Sequence, residues 1–288
     1  DVPSAKRPSP RPPVDARPDQ LSVTQIKTLI RDPYAIYARK VLKLGTLDPL
    51  AQTADAPLRG TIVHKILERF IQDKIDPAAP EAATQLMALA DDVLAAQCPW
   101  PAVRSLWRER FAAIVPHFLA EEQQRQANAS NIGTELEGED HLDTVAFTLT
   151  GKADRIDLSD DGEALIYDYK TGHPPSEKEQ IHFDKQLLLE AAMVERGAFK
   201  DVGKVRTAAA VYIGLGGAPK NQAAPLEKAP AQDTWARFEN LMQKWEDPQM
   251  GYTSRRANQS MSFEGDYDHL ARFGEWDETD EPHGEDVE

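Results

Sequence analysis

The chain holds a single cysteine, Cys98, in 288 residues. One thiol excludes an internal disulfide framework and any thiolate metal cluster built by this chain alone. A reducing cytoplasm is the expected compartment. No apolar run approaches the roughly 18 residues that a membrane-spanning helix requires, so a soluble chain with no membrane contact is expected. The first residues lack the basic, apolar, small-residue progression of a signal peptide, and none is expected. Basic charge is also scarce: 33 Lys and Arg face 48 Asp and Glu, for a formal net charge of −15. The composition therefore carries no broad basic footprint. Part of the imbalance is local, because residues 275–288 hold eight acidic side chains and no Lys or Arg. No phosphate-binding G-x-x-x-x-G-K-[ST] loop is present, and no motor activity is expected. Gly214-Leu215-Gly216-Gly217 reads as a flexible loop after a strand.

With 41% apolar residues the chain has enough material for one large domain. Residues 1–20 contain six prolines and read as a semi-rigid linker or a disordered tail. Residues 277–288 read as an acidic disordered tail. Between them the first half is helical. Ser22 and Gln25 form a capping-box pattern that opens a helix to about Arg31. Asp32-Pro33 opens a second, and further helices are expected near 58–73, 81–97 and 101–127. The pattern then alternates as strands over 133–142 and 145–158. A turn at Asp160-Asp161-Gly162 leads to a strand over 164–171. A helix is predicted over 183–196, ended by Gly197, then a buried strand over 205–215 and a last helix over 234–246. The fold class is α/β, a mixed sheet flanked by helices.

The chemistry concentrates at Tyr167-Asp168-Tyr169-Lys170-Thr171-Gly172. On a strand Asp168 and Lys170 share a face. A carboxylate beside an ammonium at this spacing suits phosphodiester hydrolysis: the carboxylate holds a hard cation, and the lysine orients water or offsets developing charge. One carboxylate is too few for Mg²⁺. If the turn is centred near residues 160–162, Asp154 on the preceding strand falls within about a residue of Asp168. Glu135 and Glu137 on the earlier strand can add a ligand, and His64 a neutral imidazole. Each feature alone has an ordinary explanation, such as a surface charge pair or a structural histidine. Their order along the chain, through to Gln186 on a following helix, sets this sequence apart. Arg59, Arg155 and Lys185 lie near the site in sequence and are candidates to meet phosphates.

Arg59-Gly60-Thr61-Ile62-Val63-His64, Gly151–Asp157, Tyr167–Gly172 and Gln186-Leu187-Leu188-Leu189 resemble the RecB-like branch of the PD-(D/E)XK nuclease superfamily. The flanking segments Leu21–Leu44 and Gly265–Arg272 resemble the C-terminal nuclease domain of AddB subunits in AddAB helicase–nucleases. The resemblance covers roughly residues 21–276. It implies a restriction-endonuclease-like core and Mg²⁺- or Mn²⁺-dependent cleavage of DNA, exonucleolytic on single strands, in recombinational repair of double-strand breaks. It implies His64, Asp154 and Asp168 as metal ligands, with the Tyr169 backbone carbonyl as a fourth. Lys170 becomes the catalytic lysine and Gln186 a glutamine contacting that lysine or DNA. Glu135 matches the acidic motif position, with Glu137 its rival. The implied partners are DNA, the remainder of an AddB-like polypeptide and an AddA-like subunit. Many AddB proteins carry four cysteines for an iron–sulfur cluster. This chain lacks them, so no iron–sulfur cluster is expected, and the two flanking segments are expected to pack directly. Two rival readings are a catalytically inert nuclease-fold module and a stand-alone exonuclease of the same family.

Overall fold

A computed structural model describes residues 4–45, 47, 50, 53–217, 219–257 and 265–287. Residues 258–264, just before the late flanking segment, and 46, 48 and 49, just after the early one, lie outside them. The chain runs β1 (Pro8–Arg11), β2 (Gln20–Ser22), α1 (Val23–Arg31), α2 (Pro33–Ile36, continued by a wider turn to Val41), α3 (Ala56–Gln72), α4 (Ala82–Gln97) and α5 (Pro101–Asn128). It continues with β3 (Ala129–His141), β4 (Thr148–Ser159), β5 (Ala164–Lys170), α6 (Glu177–His182), α7 (Gln186–Arg196), β6 (Thr207–Gly214), β7 (Gln222–Ala223), α8 (Ala231–Trp245) and β8 (His283–Asp286).

Strands β2 to β7 form a mixed six-stranded sheet. The long β3 lies antiparallel along one edge of β4, while β2 and β5 share the other edge. β6 then lies parallel to β5, so the chain must cross over between them, and α6 and α7 make the crossover. The sheet divides two apolar cores. Ile26, Ile166, Leu188, Met193, Tyr212 and Phe238 fill the one under α1, α7 and α8. Ile62, Phe70, Phe118, Tyr167 and Tyr169 belong to the other, under α3, α4 and α5. Alternation along β5 thus sends Tyr167 and Tyr169 to the α3 side and puts Asp168 and Lys170 on the α7 side.

The helices begin where local chemistry says they should. Ser22 Oγ accepts from the Gln25 amide at 3.3 Å, and Gln25 Oε1 accepts from the Ser22 amide at 3.0 Å, a complete capping box. Gly197 closes α7 with φ +87°, a conformation open to glycine at no steric cost. The helix expected over 183–196 begins three residues later, at Gln186. A further short helix that was not expected, α6 over residues 177–182, precedes it with its own capping box, Ser176 with Glu179.

Both ends differ from expectation. The proline-rich start is neither linker nor loose tail: β1 pairs parallel with β8, residue 8 with 283 through 11 with 286. Arg7 is 9% exposed and donates to the carbonyls of Ser254, Arg255, Glu278 and Asp280. Prolines are tolerated there because a two-stranded ribbon is all edge, so missing amides cost no ladder bond. The two flanking segments meet through charge as well. Asp32 accepts from the Arg255 amide at 2.9 Å, and the Arg255 guanidinium clasps Asp268, Nε to Oδ1 at 3.0 Å.

Candidate active site

The site forms where β3, β4 and β5 run side by side. The pairings Thr134 with Arg155 and Leu136 with Ala153 put Glu135 level with Asp154. The pairing Arg155 with Tyr167 puts Asp154 level with Asp168. The strands are irregular at this level. Glu135 has φ +55°, a left-handed conformation rare for a residue with a Cβ. Gly151 and Ala153 face α7 and its core, whereas Arg155 and Asp157 point to α5. The alternation of β4 therefore slips at Asp154. Such irregularities re-aim side chains and favour active sites.

His64 arrives from α3, which packs by Ile62, Val63, Ile66 and Leu67 into the second core. Its Nε2 donates to the Tyr169 carbonyl at 2.7 Å, and its Nδ1 lies 3.3 Å from Asp154 Oδ2. The same Asp154 oxygen accepts from the Tyr169 amide at 2.8 Å. Ligand atoms of His64, Glu135 and Asp154 all lie within 4.8 Å of one another. Burial by itself would lower the His64 pKa. The hydrogen bond to Asp154, the charges of Asp154 and Asp168 and the Tyr169 carbonyl outweigh it and lift it above the ordinary value.

Asp168 is 2% exposed. Burial raises its pKa to about 6, against the pull of Lys170 and helped by the charge of Asp154. Lys170 Nζ lies 2.6 Å from Asp168 Oδ2. At that distance the ammonium's charge and hydrogen bonding both favour the ionised carboxylate. Gln186 joins the two: its Nε2 donates to Asp168 Oδ1 at 2.6 Å, and its Oε1 accepts from Lys170 at 3.4 Å.

The structure brings His64, Glu135, Asp154, Asp168, Tyr169, Lys170 and Gln186 to one place. Glu135 is the acidic residue at the centre, whereas Glu137 is exposed and pairs across the ladder with Lys152. Asp168 lies outside the three mutually close ligands and faces Lys170 and Gln186 instead. Two of the expected phosphate contacts are corrected. Arg155 is 1% exposed; it grips Asp157 with two nitrogens and reaches Glu122 on α5 at 2.7 Å, so no strand of DNA can touch it. Alternation slips at Asp154, which turns the next residue inward. Lys185 turns its ammonium back onto the Ile181 carbonyl and lines an apolar crevice with Ile26 and Leu189. Burial, and Arg237 beside it, lower its pKa. Arg59 stays half-buried near the site and lines a cavity beside Thr171.

Three residues escaped the sequence reading. Glu190 follows Gln186 by one helical turn, is fully buried and accepts from Gln186 Nε2 at 3.2 Å. Burial first, and the nearby Asp168 second, lift its pKa well above the ordinary value. A lone Glu inside Leu187-Leu188-Leu189-Glu190-Ala191-Ala192 was the available signal. The ring of Tyr212 lies 5.3 Å from Lys170 Nζ. Lys152 Nζ holds Glu135 Oε2 at 2.5 Å.

The sequence profile of the PD-(D/E)XK nuclease superfamily matches residues 20–260. The chain belongs to that superfamily. Uncharacterized proteins of Rickettsia bellii (strain RML369-C) and Rickettsia conorii (strain ATCC VR-613 / Malish 7) are similar to it, 30% identical over 185 residues and 31% over 189. Each match covers 63% of this chain but only 22% and 23% of the relative. The chain therefore spans under a quarter of their length. The crystal structure of SSO0001 is similar at 15% identity over 78% of this chain and 76% of that one, with a TM-score of 0.32 too low to bear on the fold. Superfamily nucleases generally use divalent metals, and the donor set here suits one. An imidazole nitrogen, carboxylate oxygens and a main-chain carbonyl make a hard, oxygen-rich group without sulfur, as Mg²⁺ or Mn²⁺ prefers. No helix among the described residues is long and apolar enough to cross a membrane.

Proposed function

We propose that the chain is a divalent-metal-dependent deoxyribonuclease acting exonucleolytically on single strands. In this reading it is the nuclease module of a longer AddB-like polypeptide, working with an AddA-like helicase–nuclease subunit on broken DNA ends. The observation that carries it is the convergence of His64, Glu135 and Asp154, from a helix and two strands, beside a buried Asp168–Lys170 pair. His64, Glu135, Asp154 and Asp168 would hold Mg²⁺ or Mn²⁺, which when bound supplies Lewis acidity to the scissile phosphate and acidifies a water. The protein's own residues do the rest. Lys170 presents a charged ammonium where negative charge builds on phosphate oxygens. Gln186 holds Lys170 and Asp168 in register from α7, and Glu190 takes the other amide hydrogen, which fixes which way the glutamine faces. Tyr212 walls Lys170 from the core side. The far greater length of the rickettsial relatives agrees with a module within a larger chain.

The test is degradation of single-stranded DNA with added Mg²⁺ or Mn²⁺, comparing wild type with Lys170→Ala and Asp168→Ala. Release of nucleotides by wild type and its loss in both variants is expected. Equal release by all three would overturn the site, and no release by any of them would favour an inert module.

A further inference from the structure

A cavity of about 410 Å³ opens beside the site, between the first turns of α3, the middle of α5 and the loop that follows β6. That size lies within the range of roughly 300–1,000 Å³ for small-molecule sites. Trp107 and Phe111 line its apolar side. Arg59 and Arg110 stand over it, and among the described residues neither guanidinium has a carboxylate within ion-pair distance, in a chain of net charge −15. The remaining wall is Thr171 with Gly216 and Gly217. Thr171 directly follows Lys170, so the cavity begins one residue from the proposed chemistry. The glycine run that read as a mere loop keeps this wall thin: a Cβ on Gly217 would meet nothing within 4 Å.

We infer that this cavity is a nucleotide subsite, which takes an unpaired base of the DNA strand being cut while Arg59 and Arg110 hold its phosphate. An apolar, aromatic-lined hollow under two unneutralised arginines matches the two halves of a nucleoside phosphate. A base pair could not enter a hollow of this size with its partner strand. The site thereby selects single strands, because only an unpaired base can leave the stack. The inference rests on the nuclease reading for its position, but it can be tested without cleavage.

The experiment measures binding of the 288-residue chain to a fluorescent single-stranded oligonucleotide in EDTA, against an abasic oligonucleotide of the same length. Wild type is expected to prefer the base-bearing strand by roughly tenfold, the scale of one base stacked on protein. Ala113→Trp, at an exposed lining position on α5, should erase that preference. If that variant fails to fold in a thermal melt, Gly217→Phe fills the cavity from the opposite wall. Arg59→Ala with Arg110→Ala should weaken both strands alike and reduce the salt slope by about two. Equal binding of the two strands by wild type, or a preference that survives filling, would overturn the inference. Lys170→Ala must keep the preference. A wild type that prefers the base-bearing strand but never cuts DNA would sink the nuclease reading and leave the subsite standing.

Discussion

Two clusters of charge lie three residues apart on β4, and they are built in opposite ways. Around Asp157, two carboxylates meet two guanidiniums: Asp157 and Glu122 with Arg155 and Arg125. Glu122 and Asp157 are fully buried, and Arg125 also reaches Glu121 at the rim, at 3.1 Å. Burial alone would raise Glu122, but Arg155 and Arg125 overcome it and hold its pKa below the usual value. Around Asp154, three carboxylates, Glu135, Asp154 and Asp168, face two ammoniums, Lys152 and Lys170. Among the described residues His64 is the only further basic group hydrogen-bonded there. The first cluster pairs each buried carboxylate with a guanidinium and holds α5 to the sheet. The second sets three carboxylates against two ammoniums, and that excess of negative charge is what a divalent ion would offset. Charged residues of the same kinds thus become structure or site according to whether their partners are complete.

The sharpest way to break this comparison is to exchange the consequences of mutation. Lys170→Ala is expected to reduce single-turnover DNA cleavage in Mg²⁺ by at least roughly 10²–10³-fold, the scale of one lost transition-state donor, with thermal stability nearly unchanged. Glu122→Ala should do the reverse. It leaves one nitrogen of buried Arg155, and the guanidinium of Arg125, without the Glu122 carboxylate and is expected to cost about 3–5 kcal/mol in denaturant unfolding, while the rate constant of the still-folded fraction is kept. The acid dependence follows from the same residue. Because the folded Glu122 pKa is depressed, its contribution is full above the ordinary carboxylate range and is lost as pH falls through the folded value. The stability deficit of Glu122→Gln should therefore shrink steadily as the pH of the melt is lowered below about 4.5. A deficit independent of pH would mean that packing, not charge, holds this corner.

A smaller effect should come from the ion itself. Saturating Mg²⁺ is expected to stabilise the wild type by roughly 2–3 kcal/mol at a hundredfold excess over its dissociation constant, seen as a rise in melting temperature that EDTA reverses. Asp154→Asn should abolish the rise, and Asp157→Asn should retain it on a lowered baseline. The smallest effect is expected at Lys152. It is half-exposed and pairs with Glu135, so Lys152→Ala should alter stability by under about 1 kcal/mol. Freeing Glu135 from its ammonium should tighten Mg²⁺ binding a few-fold in a calorimetric titration, and weaker binding would show that Lys152 positions Glu135 rather than competing for it.

How much of this was legible before the structure depends on the range of the forces involved. The capping box at Ser22, the glycine stop at Gly197, the turn near 160–162 and the shared face of Asp168 and Lys170 depend on neighbours a few residues apart. Period and turn chemistry are local, and they were readable. The second capping box, Ser176 with Glu179, was equally local, but it opens a short polar helix with no apolar period to mark it. The fate of Arg155 was not readable. Strict alternation from Gly151 and Ala153 would send it to the α7 side, but the slip at Asp154 turns it to α5, where Glu122, 33 residues earlier, meets it. Lys185 likewise looked like a phosphate ligand until α6 offered the Ile181 carbonyl.

The sequence by itself determined the long helices, the central strands, the hairpin and the ordered series His64, Asp154, Asp168, Lys170 and Gln186, because strand period, turn residues and caps act over short distances. Only the tertiary structure decided three things. It chose Glu135 over Glu137 through a left-handed backbone at one level of the ladder. It turned Arg155 from a surface cation into the centre of a closed network. It also joined the proline-rich start to the acidic end as a two-stranded ribbon. Each of these depends on which distant segment supplies the missing partner, and pairing between residues as far apart as 8 and 283 leaves no periodic trace in either segment.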